Sequence, residues 1–239
     1  MGRTVSGIRV AAPSAAPCRL NDENSRRKVQ NVRGDSSDGS GKPELLTATE
    51  GRAVPCSWTP DGKTLIYSQT ESDKKSHLWT FTAAGNGATS QPARLHDTSF
   101  VEFDAEISPD GRNLAYVSNE SGAAEVYVQA FPGPGAKVRI STQGGVAPRW
   151  SRTRRELLYW LPDSFSMDRT ALVAVDIQLT PVFHAGIPQE LFRQRVGTTW
   201  DVSPDGRHFL TEFLPKGADM HMEMVVNWFD ELRSRVPMK

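Results

Sequence analysis

Asp61, Asp110 and Asp205 are the first residues in this sequence whose type suggests chemistry, as acid–base or metal-binding carboxylates. Each stands in the same four-residue setting: Thr59-Pro60-Asp61-Gly62, Ser108-Pro109-Asp110-Gly111 and Ser203-Pro204-Asp205-Gly206. A single active site has no use for one carboxylate per repeat. Proline presets φ, aspartate bonds to neighbouring backbone and glycine accepts φ > 0, so each segment reads as a turn. Pro60, Asp61, Gly62, Pro109, Asp110, Gly111, Pro204, Asp205 and Gly206 are therefore assigned a structural role.

Met220-His221-Met222-Glu223-Met224 is the sharpest metal candidate, since thioethers and imidazole suit copper(I). On a strand the three methionines share one face and His221 takes the other, which is the pattern of ordinary core filling. His77, His96, His184 and His208 are dispersed, without ligand spacing. Ser118, Ser141 and Ser151 lack the Gly-x-Ser-x-Gly elbow of a hydrolase. Gly-x-Gly-x-x-Gly, His-Arg-Asp and Asp-Phe-Gly are also missing. No catalytic residue, cofactor site or metal site is assigned, and the chain is not read as an enzyme.

The remaining reactive types take structural readings. Cys18 and Cys56 are neither in a Cys-x-x-Cys pair nor beside a ligand-spaced histidine. Each is most simply an unpaired thiol, with a bridge between them left open. Trp58, Trp79, Trp150, Trp160, Trp200 and Trp228 are spread evenly, which favours packing over a binding funnel. Arg149, Arg152, Arg154 and Arg155 form a short basic cluster that reads as a solvated rim. Lysine plus arginine equals aspartate plus glutamate at 28 each. That balance gives no support to a nucleic-acid partner.

The elements that must carry these residues follow from the spacing. A worn fourth copy, Ser151-Arg152-Thr153-Arg154-Arg155, lies between the last two turns, giving intervals of 49, 43 and 52 residues. Strand-like runs follow each copy: 64–67, 113–117, 156–160 and 208–210. Asn119-Glu120-Ser121-Gly122 marks a second turn, Glu125 to Phe131 alternates as a half-buried strand, and Lys137 to Ser141 supplies another. One repeat is thus four antiparallel strands, close to the length of a propeller blade.

Ser108 to Gly122, Glu125 to Gln129, Phe131 to Gly135, Ile140 to Gly145, Pro148 to Ser151, Trp200 to Gly206 and Val225 to Leu232 together resemble TolB-like, WD-repeat-like (PD40) β-propellers. The order also resembles the C-terminal segment of bacterial eukaryotic-like serine/threonine protein kinases and of stand-alone propeller proteins. The resemblance implies an all-β propeller of four-stranded antiparallel blades. About four of the family's usual six are expected here, as a piece of a larger ring. Residues 37–239 are assigned to blades, with repeats centred near 59–62, 108–111, 151–154 and 203–206. Residues 1–36, polar and followed by a small-residue linker, are read as disordered or foreign to the fold.

The implied function is a non-catalytic binding scaffold that takes a protein, peptide or small ligand at a rim or central funnel. The alternative is the extracytoplasmic sensor part of a kinase whose catalytic domain is not in this chain, with that kinase or further blades as partners. No apolar run reaches the roughly 20 residues of a membrane helix. Arg9, Pro13 and Ser14 interrupt the weak apolar stretch near the start. The default location is cytoplasmic, and extracytoplasmic if the chain belongs to a membrane-bound kinase or a secreted propeller.

Overall fold

A computed structural model describes residues 10–12, 15–20, 30–34, 44–49, 51–82, 91–133, 135–152, 155–162, 169–178, 183–203, 206, 208–213 and 221–225. The described residues hold strands and turns and no helix. Blade 1 is the sheet of β1 (Val10–Ala12), β2 (Ala15–Leu20), β3 (Gln30–Gly34) and β4 (Glu44–Thr49). Three of its strands come from the segment that composition sets apart from the repeats. Blade 2 is β5 (Ala53–Trp58), β6 (Thr64–Thr70), β7 (Ser76–Thr82) and β8 (Ala93–Arg94). Blade 3 is β9 (Glu102–Ile107), β10 (Asn113–Ser118), β11 (Glu125–Ala130) and β12 (Val138–Arg139).

The last seven strands form one sheet: β13 (Val146–Trp150), β14 (Glu156–Pro162), β15 (Arg169–Gln178), β16 (His184–Ala185), β17 (Gln189–Val202), β18 (Phe209–Phe213) and β19 (His221–Val225). Strand β17 explains the merger. Its first half pairs with β15 and its second half with β18. Between the pairs Val196↔Phe213 and Trp200↔Thr211 it carries extra residues. The first half closes blade 4 and the second half opens blade 5.

The order within a blade fixes two ends. The Pro-Asp-Gly turns join the first and second strands, so they lie at one end, here called lower. The turns between second and third strands, and the connections to the next blade, lie at the upper end. Each inner strand also carries a register shift, between Pro55 and Ser57 in β5, opposite Ala115–Val117 in β9, between Val146 and Arg149 in β13, and between Val196 and Trp200 in β17. Asp104 and Ala147 occupy equivalent bulge positions, with φ of 50° and 51°. Bulges of this kind bend a strand and increase its twist.

The core lies between blades. Successive side chains of a strand point to opposite faces, and the second strands are apolar on both. In β14, Leu157 and Tyr159 pack towards blade 3, with Ala115, Val126 and Ile140. Leu158 and Trp160 pack the other way, with Leu172, Trp200 and Phe209. Between blades 2 and 3, Ile66 and Leu78 meet Ala105, Leu114 and Tyr116. Each such large side chain contributes roughly 1.5–3 kcal/mol by burial.

Candidate functional site

The turns of blades 2 and 3 share one hydrogen-bond scheme. In blade 2, Thr59 Oγ1 donates to Asp61 Oδ1 (2.6 Å), Lys63 N–H donates to the same oxygen (3.1 Å), and Thr64 N–H donates to Thr59 Oγ1 (3.0 Å). In blade 3, Ser108, Asp110, Arg112 and Asn113 repeat this at 2.6, 3.0 and 2.9 Å. The Thr59 hydroxyl and the Lys63 N–H hold the Asp61 carboxyl below its ordinary range. In blade 5, His208 N–H donates to Ser203 Oγ at 2.9 Å, whereas Pro204 and Asp205 lie outside the described residues. The worn copy keeps the closing bond, Ser151 N–H to Glu156 O at 3.0 Å. Asp61 and Asp110 are therefore occupied in local turns and do not converge on a shared site.

A polar network that sequence spacing did not reveal joins blades 2 and 3 at the upper end. Glu102, fully buried at the start of β9, receives His96 Nδ1 at 2.9 Å and Thr98 Oγ1 at 3.3 Å. Gln129 Nε2 is bonded to His96 Nε2, and Tyr116 Oη donates to Gln129 Oε1 at 3.2 Å. The amide nitrogen is only a donor. His96 Nε2 must then accept, which places its proton on Nδ1, facing Glu102. A general base needs a free ring nitrogen within reach of its substrate, and both nitrogens of His96 are taken. The carboxylate–imidazole pair is thus built as a latch between blades.

Glu71, Asp73 and His77 bring three possible metal-ligating atoms within 4.8 Å of one another at the upper turn of blade 2. Arg94 Nη2 lies 2.7 Å from His77 Nδ1 and can only donate. Nδ1 therefore accepts, and the ring's proton sits on Nε2, 4.0 Å from Glu71 Oε2. That nitrogen has no lone pair for a metal. Trp79 Nε1 donates to Glu71 Oε1 (3.3 Å) and Lys75 N–H to Asp73 Oδ1 (2.9 Å). The group suits a hydrogen-bonded turn rather than a metal centre.

Ser57, Glu106, Arg149 and Asp201 hold the same place in four successive inner strands, two residues before the turn's first residue. Ser57 Oγ accepts the N–H of Ile107 at 3.2 Å, and Glu106 Oε2 accepts that of Trp150 at 2.6 Å. Each clasps the next blade. Burial pushes the Glu106 carboxyl up to about 7, against the opposing pull of Arg149 and the Trp150 N–H, with Asp201 adding to the rise. At the next junction Arg149 lies over the Trp200 ring at 5.8 Å. The basic cluster thus contributes one side chain to an inter-blade contact, while Arg152 and Arg155 are exposed and Arg154 lies outside the described residues.

Trp150, Trp160 and Trp200 are buried between blades, as their even spread suggests. Cys56 is a free thiol packed against the cluster between blades 2 and 3, and burial raises its pKa. Of the methionine segment, Met222 and Met224 pair in register with Glu212 and Leu210, while Met220 lies outside the described residues. Among the described residues no helix is long and apolar enough to cross a membrane.

No family model matches the sequence. Solved structures do. TolB from Acinetobacter baumannii superposes with a TM-score of 0.68 at 17% identity, covering 89% of this chain and 49% of that one. An oligogalacturonate lyase in complex with manganese gives 0.61 at 13%, over 96% and 64%. The β-propeller domain of the trilobed protease from Pyrococcus furiosus, described as having an open velcro topology, gives 0.52 at 13%, over 90% and 67%. The fold is that of a β-propeller. It is similar to that of TolB, and the chain spans about half the length of the TolB it matches.

Proposed function

We propose that this chain is a binding scaffold of the TolB-like propeller type, recognising a ligand at a rim or between blades without performing chemistry on it. The supporting observation is the mutual hydrogen bonding of the polar groups buried around blade 3. Glu102, His96, Gln129 and Tyr116 bond to one another across blades 2 and 3, and Glu125 and Ser141 bond to each other within blade 3. A catalytic imidazole must keep one ring nitrogen for substrate, and both nitrogens of His96 are engaged inside the network. Fully connected buried networks rigidify a fold, which suits a surface that recognises shape.

The reading is tested by offering the purified chain a peptide library displayed on phage, alongside a panel of lactones, pectic oligosaccharides with manganese, and peptides. Saturable enrichment of a peptide motif without turnover is the expected result. Turnover that disappears in His96→Asn would overturn it.

A further inference from the structure

Blades 2 to 5 each set one cross-strand pair at the same place: Ser57↔Ile66, Glu106↔Ala115, Arg149↔Leu158 and Asp201↔Leu210. Residues directly opposite on neighbouring strands share one face of the sheet. In the first three pairs that face is turned to the following blade. Ile66 packs with Ala105 and Leu114, Ala115 with Leu157 and Tyr159, and Leu158 with Trp200 and Phe209. Their opposite numbers reach the same neighbour. Ser57 Oγ accepts the Ile107 N–H, Glu106 Oε2 accepts the Trp150 N–H, and Arg149 lies over the Trp200 ring. The three apolar members are accordingly 0%, 0% and 3% exposed.

The fourth pair keeps the pattern, but among the described residues no blade follows blade 5. Leu210 is 39% exposed, and Met224 of β19 stands opposite it in register. Asp201 is exposed, and its Oδ1 accepts the N–H of the adjacent Val202 at 2.8 Å. Glu106, at the equivalent place, accepts its amide from the next blade. An apolar residue and a polar clasp, both at positions that elsewhere hold a neighbour, make this face an inter-blade surface. Its complement is the side of a blade that receives a preceding one.

The other end of the row supplies that complement. Blade 1 packs through β1, β2 and β3 against β5, so one of its faces is taken by blade 2. By the order of the blades, its opposite face is the one fitted to receive a preceding blade. We propose that the free face of blade 5 docks on blade 1 of a second copy of this chain. The two surfaces differ, so the contact is heterologous, and copies joined this way either close a ring or extend as a row. This assembly goes beyond the binding-scaffold reading and does not depend on it.

The test is sedimentation velocity of the full chain from about 1 to about 100 µM, since interfaces of ordinary size bind in the micromolar range or tighter. Association that grows with loading is expected. Leu210→Glu sets a second carboxylate beside Asp201 and should weaken association roughly tenfold or more. Leu210→Gln, which adds no charge, should weaken it as well, and Leu210→Met should preserve it. Melting curves taken at low loading and unchanged from the parent chain show that the variants fold. In a mixture of ¹⁴N and ¹⁵N chains, mixed-isotope cross-links should join residues 10–49 to residues 196–225. A monomer at every loading, association indifferent to Leu210→Glu, or mixed cross-links joining residues 196–225 only to themselves would overturn the proposal.

Discussion

Gly62, Gly111 and Gly206 carry φ values of 68°, 74° and 66° at the end of their turns. A side chain there meets the left-handed backbone, and at Gly111 a neighbour as well. A Cβ on Gly111 would approach Pro60 Cδ of the preceding blade to 3.2 Å. Gly111→Val should cost about 1–3 kcal/mol, because a β-branched residue resists positive φ, and a lowered Tm would register it. Glu106 supplies a second test, in pH. Its carboxyl titrates near 7 in the folded chain and near 4.5 when exposed. The folded state therefore holds the proton more tightly, so stability is greatest in acid. It falls as pH rises from about 4.5 to about 7, by at most roughly 3 kcal/mol. Glu106→Gln should flatten that slope, raising Tm at pH 8 and leaving it nearly unchanged at pH 4.

Strands and their connections carry the next set of consequences. Replacing His96 by alanine strands Glu102, a buried carboxylate, with Thr98 as its remaining side-chain partner. Breaking one side of such a buried pair costs about 3–5 kcal/mol. Glu102→Leu combined with His96→Ala should recover much of it, since the orphaned charge is then gone, and a double-mutant cycle of denaturant midpoints checks this. The turns that start β6, β10 and β18 were legible because proline, aspartate and glycine act locally. Glu102 was not legible: its partners His96 and Thr98 lie in the connection between β8 and β9, and Gln129, which holds His96, comes from β11, so no short motif links the group. Ala53 and Gly145 hold the place of Glu102 in blades 2 and 4, so the repeat itself gave no warning. Blade 1 carries no Pro-Asp-Gly turn, and for that reason the periodicity does not announce it. The merged sheet was equally hidden, because β17 owes its continuity to two partners, β15 and β18, that lie on either side of it in sequence.

At the scale of the molecule, blades 2 to 5 meet through separate apolar interfaces, and stability is distributed junction by junction as in other repeat proteins. The Trp160, Phe192, Trp200 and Phe209 rings, with centroids 5.6–6.5 Å apart, belong to the junction of blades 4 and 5 alone. Trp160→Ala should cost about 3–5 kcal/mol. Hydrogen exchange should then quicken in β14 and β18 first, with β6 and β10 retaining most of their protection; uniform quickening would mean that the junctions do not act separately.

The outermost strands of blades 2 and 3, β8 and β12, are each two residues long. A growing fibril needs a longer flat edge to copy, one that offers a row of unpaired amides and carbonyls to an incoming chain. Two residues give a stranger almost no template, so the outer edges of blades 2 and 3 are guarded against edge-to-edge polymerisation by the brevity of these strands, whereas β4 and β19, six and five residues long, leave longer edges.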